Sequence, residues 1–149
     1  NNIYGIKNCK KIEELSFYKN DLEDIRTLVL LPYINKLNLY DNEIYDLSPL
    51  KESVYLEELL LDKNNITDVS SLINLNGITN LSLSDNDIRD ISSLRKLVYL
   101  ESLDISYNNI RNIDVIKRFP YIEDLNIKDN RISSSYVHSL VNEEVDITN

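Results

Sequence analysis

A strict 22-residue period constrains this chain more than any other feature of its sequence. Leucine recurs at this one fixed spacing from Leu15 to Leu125. An apolar residue stands two positions after each leucine, and an asparagine stands three positions after that. A fixed period of this length predicts a repeat architecture, in which each unit buries its apolar face only against its neighbours. We call each unit a coil and number its positions from these leucines: Leu15, Leu37, Leu59, Leu81, Leu103 and Leu125.

One copy of the repeat runs from Ile34 to Ile44 and reads I-N-K-L-N-L-Y-D-N-E-I. It resembles the leucine-rich-repeat pattern L-x-x-L-x-L-x-x-N-x-L. Positions one and three alternate with polar neighbours, which predicts a short strand with one buried face. Such strands are too short to be stable alone, so we expect them to stack in parallel around a shared core. The resemblance implies an α/β solenoid: a right-handed arc with a parallel β-sheet on the concave face and short 3-10 or helical turns on the convex face.

The asparagines at position six are expected to be structural. They stand where each strand turns away, and a tight coil leaves backbone N–H and C=O groups facing inward there. An asparagine amide provides both donors and an acceptor for such groups, and one left unpaired costs about 1–3 kcal/mol. We interpret the set as an asparagine ladder rather than a ligand site: Asn20, Asn42, Asn64, Asn86, Asn108 and Asn130.

The other side of each coil carries an aspartate, an aliphatic residue, a serine and then a leucine, as in segments 46–50, 68–72 and 90–94. Aspartate and serine suit the cap of a short helical turn, and Pro49 suits its first position. These segments resemble the D-[ILV]-S-x-L segment of the internalin family, bacterial surface and secreted proteins with 22-residue repeats. That resemblance implies a bacterial surface or secreted protein that binds another protein on its concave face.

Two alternatives stay open. The phosphatase-regulator class, intracellular eukaryotic adaptors of protein phosphatase type one, also has 22-residue coils, although these usually carry Gly-Leu where this chain has Ser-x-Leu. It implies a cytoplasmic adaptor or regulatory subunit of a protein phosphatase. The other alternative is a structural repeat segment of a larger surface protein, in which binding is done elsewhere.

Residues 1–149 are predicted to form a single leucine-rich-repeat domain. Residues 1–14 are interpreted as a partial coil, six 22-residue coils begin at Leu15, and a C-terminal cap covers about 133–149. In that cap we expect Val145 to begin a last strand, two positions short of a full period after Leu125, and His138 to be a cap or surface residue. Cys9 falls at a core position, where a small buried side chain is expected. The absence of methionine favours a processed product or a fragment.

The composition argues against several functions. Two glycines leave no phosphate-cradling loop, and a single histidine far from a single cysteine cannot form a nucleophile–base pair. A net charge of −9 disfavours nucleic acid and anionic membranes. No apolar run approaches the roughly 20 residues that a bilayer requires. We therefore predict a monomeric, non-enzymatic protein without cofactor or metal, whose partner is another protein.

Positions two and four are expected to project from the strands onto the concave face. Tyrosine and leucine cluster there on three adjacent coils, beside aspartates, and an apolar centre with a polar rim is typical of a protein interface. The predicted partner-binding residues are Tyr18, Tyr40, Leu60, Asp62, Asp41 and Asp104.

Two further groups of repeated side chains, serines and tyrosines, are not predicted to bind a partner. Small serines on the later coils form a wet rim of the concave face or no site at all: Ser82, Ser84 and Ser106. Tyrosines at position nineteen, on the rim before each strand, form a packing ladder: Tyr33, Tyr55, Tyr99 and Tyr121.

Overall fold

The computed structural model describes residues 4–133, 135–137 and 146–148. Its described part contains one parallel sheet in which seven short strands follow one another in sequence order. The predicted leucine-rich-repeat solenoid is confirmed, with the sheet on one face and 3-10 turns on the other in the coils that begin at Leu15, Leu37, Leu59, Leu81 and Leu103. The strands are β1 (Glu14–Ser16), β2 (Lys36–Asn38), β3 (Glu58–Leu60), β4 (Asn80–Ser82), β5 (Ser102–Asp104), β6 (Asp124–Asn126) and β7 (Asp146–Thr148).

The register of the sheet keeps the sequence period. Leu15 is opposite Leu37, and Leu103 is opposite Leu125, so equal positions of adjacent coils are neighbours. In β7 the partner of Leu125 is Ile147, which stands one full period later in the chain. The expectation that Val145 begins the last strand, two positions earlier, was therefore wrong. A parallel ladder aligns whole coils, so the register of β7 keeps the full 22-residue period.

Short 3-10 turns lie opposite the sheet. In the turn Ser48–Leu50, the Asp46 carboxylate accepts a hydrogen bond from the Ser48 backbone N–H at 2.8 Å, and the Ser48 hydroxyl donates to the same carboxylate at 3.0 Å. Asp46 thus accepts this bond from two residues before the turn. Pro49 is the second residue of the turn and not the first, as was expected, because the first residue, Ser48, donates its backbone N–H to Asp46 and a proline has none. The turns are Tyr4–Asn8, Arg26–Leu30, Ser48–Leu50, Ser70–Leu72, Ser92–Lys96 and Asp114–Arg118.

The core is one continuous stack of aliphatic side chains between the sheet and the turns. In the middle coils Leu59, Leu81 and Leu83 are completely buried. Cys9, which was expected to be buried, is exposed. It follows the turn Tyr4–Asn8 in the first described coil, where the core side chains are only partly covered. The prediction for Cys9 was wrong because a core position is buried only when neighbouring coils pack on both sides.

Three residues after the end of each of the first six strands, the chain carries a residue with left-handed backbone conformation. This residue is at position five, and its φ lies between 51° and 58° in all six coils. The left-handed region usually selects glycine, and asparagine or aspartate tolerate it better than other residues. Here the sequence carries no glycine at the position, so it provides no direct signal for the conformation. The residues are Lys19, Asp41, Lys63, Asp85, Tyr107 and Asp129.

The predicted C-terminal cap is described only in part. Residues 135–137 are helical, and Val137 is buried against the core. The hydroxyl of Tyr136 donates to the side-chain oxygen of Asn112 at 3.1 Å, which ties this segment to the preceding coil. His138, Val145 and the rest of the cap up to β7 lie outside the described residues.

Candidate partner-binding face

The position-six asparagines from Asn42 to Asn130 join each coil to the one before it. The Asn64 amide nitrogen donates to the carbonyl oxygens of Leu39, Leu61 and Asp62 at 3.0–3.1 Å. Its amide oxygen accepts the backbone N–H of Ile44 at 2.9 Å. These partners are backbone groups in or beside the buried turn, and without the asparagine they would lack these bonds. The asparagine side chains therefore face inward and leave the outer face of the sheet to positions two and four.

An aromatic pair lies on the outer face at the N-terminal end of the sheet. The rings of Tyr18 and Tyr40 stack with centroids 5.0 Å apart and planes inclined by 23°. Tyr18 is still 48% exposed, and Leu60, on the next strand, is half-buried. Tyr18 and Tyr40 occupy the same position of neighbouring coils and therefore stack, whereas Leu60 stands two positions earlier in the next coil, opposite Asn38. We call Tyr18, Tyr40 and Leu60 the aromatic patch.

Charged residues alternate in sign beside the aromatic patch, at position five. The Lys19 Nζ lies 5.1 Å from the Tyr18 ring centroid, and the Lys63 Nζ lies 5.5 Å from that of Tyr40. The Tyr18 side chain, and more weakly the charge of Asp41, raise the pKa of Lys19. Each ring of the pair thus has one lysine over it, and Asp41 stands between the two lysines in the position-five series. Sequence inspection identified Asp41 but missed both lysines, although their alternation with Asp41 and Asp85 was a usable signal.

The remaining outer face is a hydrogen-bonded polar network. The Asp62 carboxylate accepts bonds from the Ser82 hydroxyl and from the Ser84 backbone N–H. The Ser84 and Ser106 hydroxyl oxygens lie 2.8 Å apart. We call this network, with Asp104 and Asn126, the polar floor. It spans the coils of β3 to β6, and its side chains bind one another.

Asp104 holds the other end of the polar floor. Its carboxylate accepts the Ser106 hydroxyl at 2.6 Å and the Asn126 side-chain N–H at 2.9 Å. Ser106 is only 1% exposed, so the interpretation of Ser106 as part of a wet rim was wrong. The bond between Asp104 and Ser106 lies within one coil, so the 22-residue spacing carried no signal for it.

Burial shapes the electrostatics of Asp62. Desolvation raises the pKa of the Asp62 carboxyl, and the bonds from Ser82 and Ser84 oppose that shift. The nearby charge of Asp104 adds to the increase. Asp62 is therefore a carboxylate whose charge is poorly compensated in the free protein, at the border between the aromatic patch and the polar floor.

The tyrosines of position nineteen do not form a continuous ladder. Tyr33 and Tyr55 have ring centroids 6.0 Å apart, and Tyr99 and Tyr121 have centroids 6.3 Å apart. The coil between the two pairs carries Gly77 at the same position. All four rings are 55–58% exposed, so packing accounts for less than half of each surface.

Within the described residues, no group of three or more histidine, cysteine, aspartate or glutamate side chains is arranged to hold a metal ion. No helix among them has the length and apolar character needed to cross a bilayer.

A family model described as Leucine Rich repeats (2 copies) matches residues 76–118. Together with the parallel sheet, the 22-residue register and the asparagine-lined turns, this match defines the chain as a leucine-rich-repeat protein. Its fold is internalin-like, as the sequence resemblance predicted.

Solved structures support the description of the fold as internalin-like. Internalin C2 from Listeria monocytogenes has a TM-score of 0.90 and 32% identity, over 99% of this chain and 66% of that one. An internalin from the same organism, inlF, has a TM-score of 0.79 and 26% identity, over 98% of this chain and 50% of that one. A leucine-rich-repeat protein from Leptospira interrogans has a TM-score of 0.88 and 25% identity, over 97% of this chain and 38% of that one.

The chain therefore spans only 66%, 50% and 38% of these three proteins. No curated protein sequence matches it significantly. The family model and the structural neighbours are of a fold associated with protein–protein interaction, and none of them indicates an enzyme family.

Proposed function

We propose that this chain is a non-catalytic module that binds another protein on the concave face of its sheet. The observation that carries the proposal is the aromatic patch, in which Tyr18 stays 48% exposed although it stacks on Tyr40. A stacked ring pair on a hydrogen-bonded sheet is already ordered, so a partner gains apolar contact at low entropic cost. Aromatic residues of this kind dominate interface energies.

The acidic residues give the patch its polar border. Asp41 follows Tyr40 in the chain, and Asp62 stands beside Leu60 at the edge of the polar floor. Asp104, at the far end of that floor, is already bonded by Ser106 and Asn126. We assign direct contact to Asp41 and Asp62, and we assign to Asp104 a supporting role as the acceptor that orders the floor.

The internalin-like fold supports a bacterial surface or secreted location for this function, and a chain that acts as a monomer. Sedimentation velocity on the purified chain tests the oligomeric state, and fractionation of the source cells tests the location. Recovery in a eukaryotic cytosol would favour the phosphatase-adaptor alternative instead.

An affinity capture with three baits tests the binding site. The first bait is the unchanged chain, and the second carries Tyr18→Ala, Tyr40→Ala and Leu60→Asp. The third is a matched control with Tyr45→Ala, which removes a tyrosine that is 56% exposed and lies outside the sheet. Equal thermal unfolding of the three baits establishes that each is folded.

The expected result is a protein retained by the first and third baits and lost by the second. Mass spectrometry then identifies it. If all three baits retain the same proteins, the aromatic patch is not the site, and a structural segment of a larger surface protein becomes the better interpretation.

A further inference from the structure

A gap interrupts the tyrosines at the rim of the solenoid. The two tyrosine pairs at position nineteen are separated by the coil that carries Gly77. Tyr55 and Tyr99 therefore stand at the equivalent positions of the two coils on either side of this one, and they are 58% and 55% exposed. Strands of neighbouring coils are about 4.8 Å apart, so the backbones of residues 55 and 99 stand about 10 Å apart. We call the space over Gly77, between Tyr55 and Tyr99, the rim slot.

The floor of the rim slot is backbone. A Cβ atom on residue 77 would lie 3.3 Å from the carbonyl oxygen of Leu56 and 3.6 Å from that of Val54. The φ of Gly77 is not positive, so glycine is not required there by backbone conformation. Glycine at this position leaves out the tyrosine side chain that the equivalent positions of the coils on either side carry. The valines that precede the two tyrosines, Val54 and Val98, are 49% and 38% exposed and extend the apolar walls.

Carboxylates flank both walls. Glu57 and Glu101 each stand two positions after the wall tyrosine, and both are exposed. Among the described residues neither takes part in an ion pair. The coil between them, from residue 73 to 80, contains no charged residue. The rim slot therefore has aromatic walls and an uncharged floor. At its edge stand two carboxylates, Glu57 and Glu101, that form no ion pair with another described residue.

This combination matches a cationic side chain. A cation midway between the two walls would be about 5 Å from each ring, within the roughly 6 Å range of a cation–π contact. Elsewhere on the molecule lysines already occupy ring faces, at Tyr18, Tyr40 and Tyr107. None of the cation–ring contacts among the described residues involves Tyr55 or Tyr99. Lys96, on the turn before Tyr99, binds a different group: its Nζ lies 3.5 Å from the side-chain oxygen of Asn74.

We propose that the rim slot is a second binding site, distinct from the aromatic patch, which takes an arginine or lysine side chain from an extended basic segment of a partner protein. The net charge of −9 attracts such a segment and repels an acidic one. Glu57 and Glu101 orient the cation, and Tyr55 and Tyr99 provide the faces against which it packs. This proposal does not depend on the aromatic patch.

Nuclear magnetic resonance tests the proposal directly on the whole chain. The probe is the peptide acetyl-Ala-Gly-Arg-Gly-Ala-amide, titrated into the 15N-labelled protein at about 150 mM salt to screen distant charges. Its control is the same peptide with citrulline, which keeps the shape of arginine and removes the charge. We expect saturable shifts at Asn76, Gly77 and Ile78 with the arginine peptide and none with the citrulline peptide.

Three variants separate the slot from general attraction to an acidic protein. Gly77→Tyr supplies the side chain that the equivalent positions carry and fills the slot, and Tyr99→Ala removes one wall. Tyr45→Ala is the matched control, because Tyr45 is 56% exposed and contacts neither wall tyrosine in the described ring pairs. We expect Tyr99→Ala to weaken binding about three- to fivefold, Gly77→Tyr to abolish it, and Tyr45→Ala to leave it unchanged.

A folded Gly77→Tyr protein that binds the arginine peptide as well as the unchanged chain would overturn the proposal. Equal shifts with the citrulline peptide, shifts centred on Tyr40 and Leu60, or no saturable shift at about 10 mM peptide would overturn it as well. Gly77→Ala, which adds only a Cβ, shows whether a small adjustment of the backbone has any effect of its own.

Discussion

The side-chain oxygen of Asn64 accepts the backbone N–H of Ile44, which lies on the preceding coil, at 2.9 Å. The same relation links Asn86 to Ile66 and Asn108 to Ile88, at 3.0 and 2.9 Å. Each asparagine therefore closes the turn of another coil as well as its own. The solenoid depends on these bonds because each coil gains its stability mainly from its contacts with its neighbours.

Replacing Asn64 with alanine is expected to destabilise the fold by about 3 kcal/mol, since it leaves buried carbonyl and N–H groups unpaired. Asn20→Ala is the matched control, because Asn20 is exposed and its described bonds reach only Phe17 and Tyr18 of its own coil. We expect a loss below about 1 kcal/mol there. Urea unfolding followed by circular dichroism measures both, and equal losses would contradict the coil-joining role.

The Asp62 carboxyl is expected to make stability depend on pH in an unusual direction. Its pKa in the folded state is raised, chiefly by burial, so the folded protein holds this proton when the unfolded chain has released it. Stability contributed by Asp62 is therefore present below the ordinary value of about 3.9 and decreases as pH rises through the raised pKa.

An Asp62→Asn variant isolates this effect from other carboxyls. Its amide oxygen still accepts from Ser82 and Ser84 but carries no charge. We expect the variant to gain stability relative to the unchanged chain as pH increases above about 4. The free energy of unfolding of each protein is measured from acid to neutral pH, and the value for the unchanged chain is subtracted from that for the variant. If this difference does not vary with pH, burial has no net effect on the pKa of the Asp62 carboxyl.

Tyr107 is expected to store backbone strain. Its φ of 52° places a bulky residue in the left-handed region, which costs roughly 1–2 kcal/mol for most residues and less for asparagine. Tyr107→Asn should therefore stabilise the protein by about 0.5–1 kcal/mol. Asp85→Asn, at the same position of another coil, should change little. Urea midpoints compare the two, and a less stable Tyr107→Asn would mean that the tyrosine ring contributes more than its backbone costs.

Cys9 is expected to react in the folded protein. Its side chain is exposed. An aromatic disulfide reagent, whose released thiolate absorbs light, should therefore modify one thiol per chain without denaturant. Cys9→Ser provides the blank and should change stability by less than about 0.5 kcal/mol. A thiol that reacts only after unfolding would indicate that the first coil covers it in solution.

Periodicity was sufficient to predict the fold, because the same few residues repeat in every coil. A leucine that recurs once in every coil can be buried only if the coils stack in register, and the pairing of Leu37 with Leu59 follows from this requirement. The aromatic patch follows equally, since Tyr18 and Tyr40 occupy the same position of adjacent coils. Its residues remain predicted contacts until a partner is identified.

Other features were not visible in the pattern. Cys9 matched a core position, but burial depends on which coils cover it. Ser106 was interpreted as part of a wet rim or of no site at all, and its burial excludes the rim; Asp104 of its own coil and Ser84 of the preceding coil bind its hydroxyl. The left-handed residues of position five carried no glycine, so only the backbone dihedrals revealed them.

The sequence alone thus determined the architecture, the period, the inward-facing asparagines and the face on which variable residues lie. These depend on hydrophobic spacing and on backbone hydrogen bonding, which act in the same way in every coil. The tertiary structure decided which polar side chains bind one another, how far Asp62 is buried and where Gly77 opens the rim between Tyr55 and Tyr99. Those features depend on contacts between particular neighbours, and a repeat pattern records only what the neighbours share.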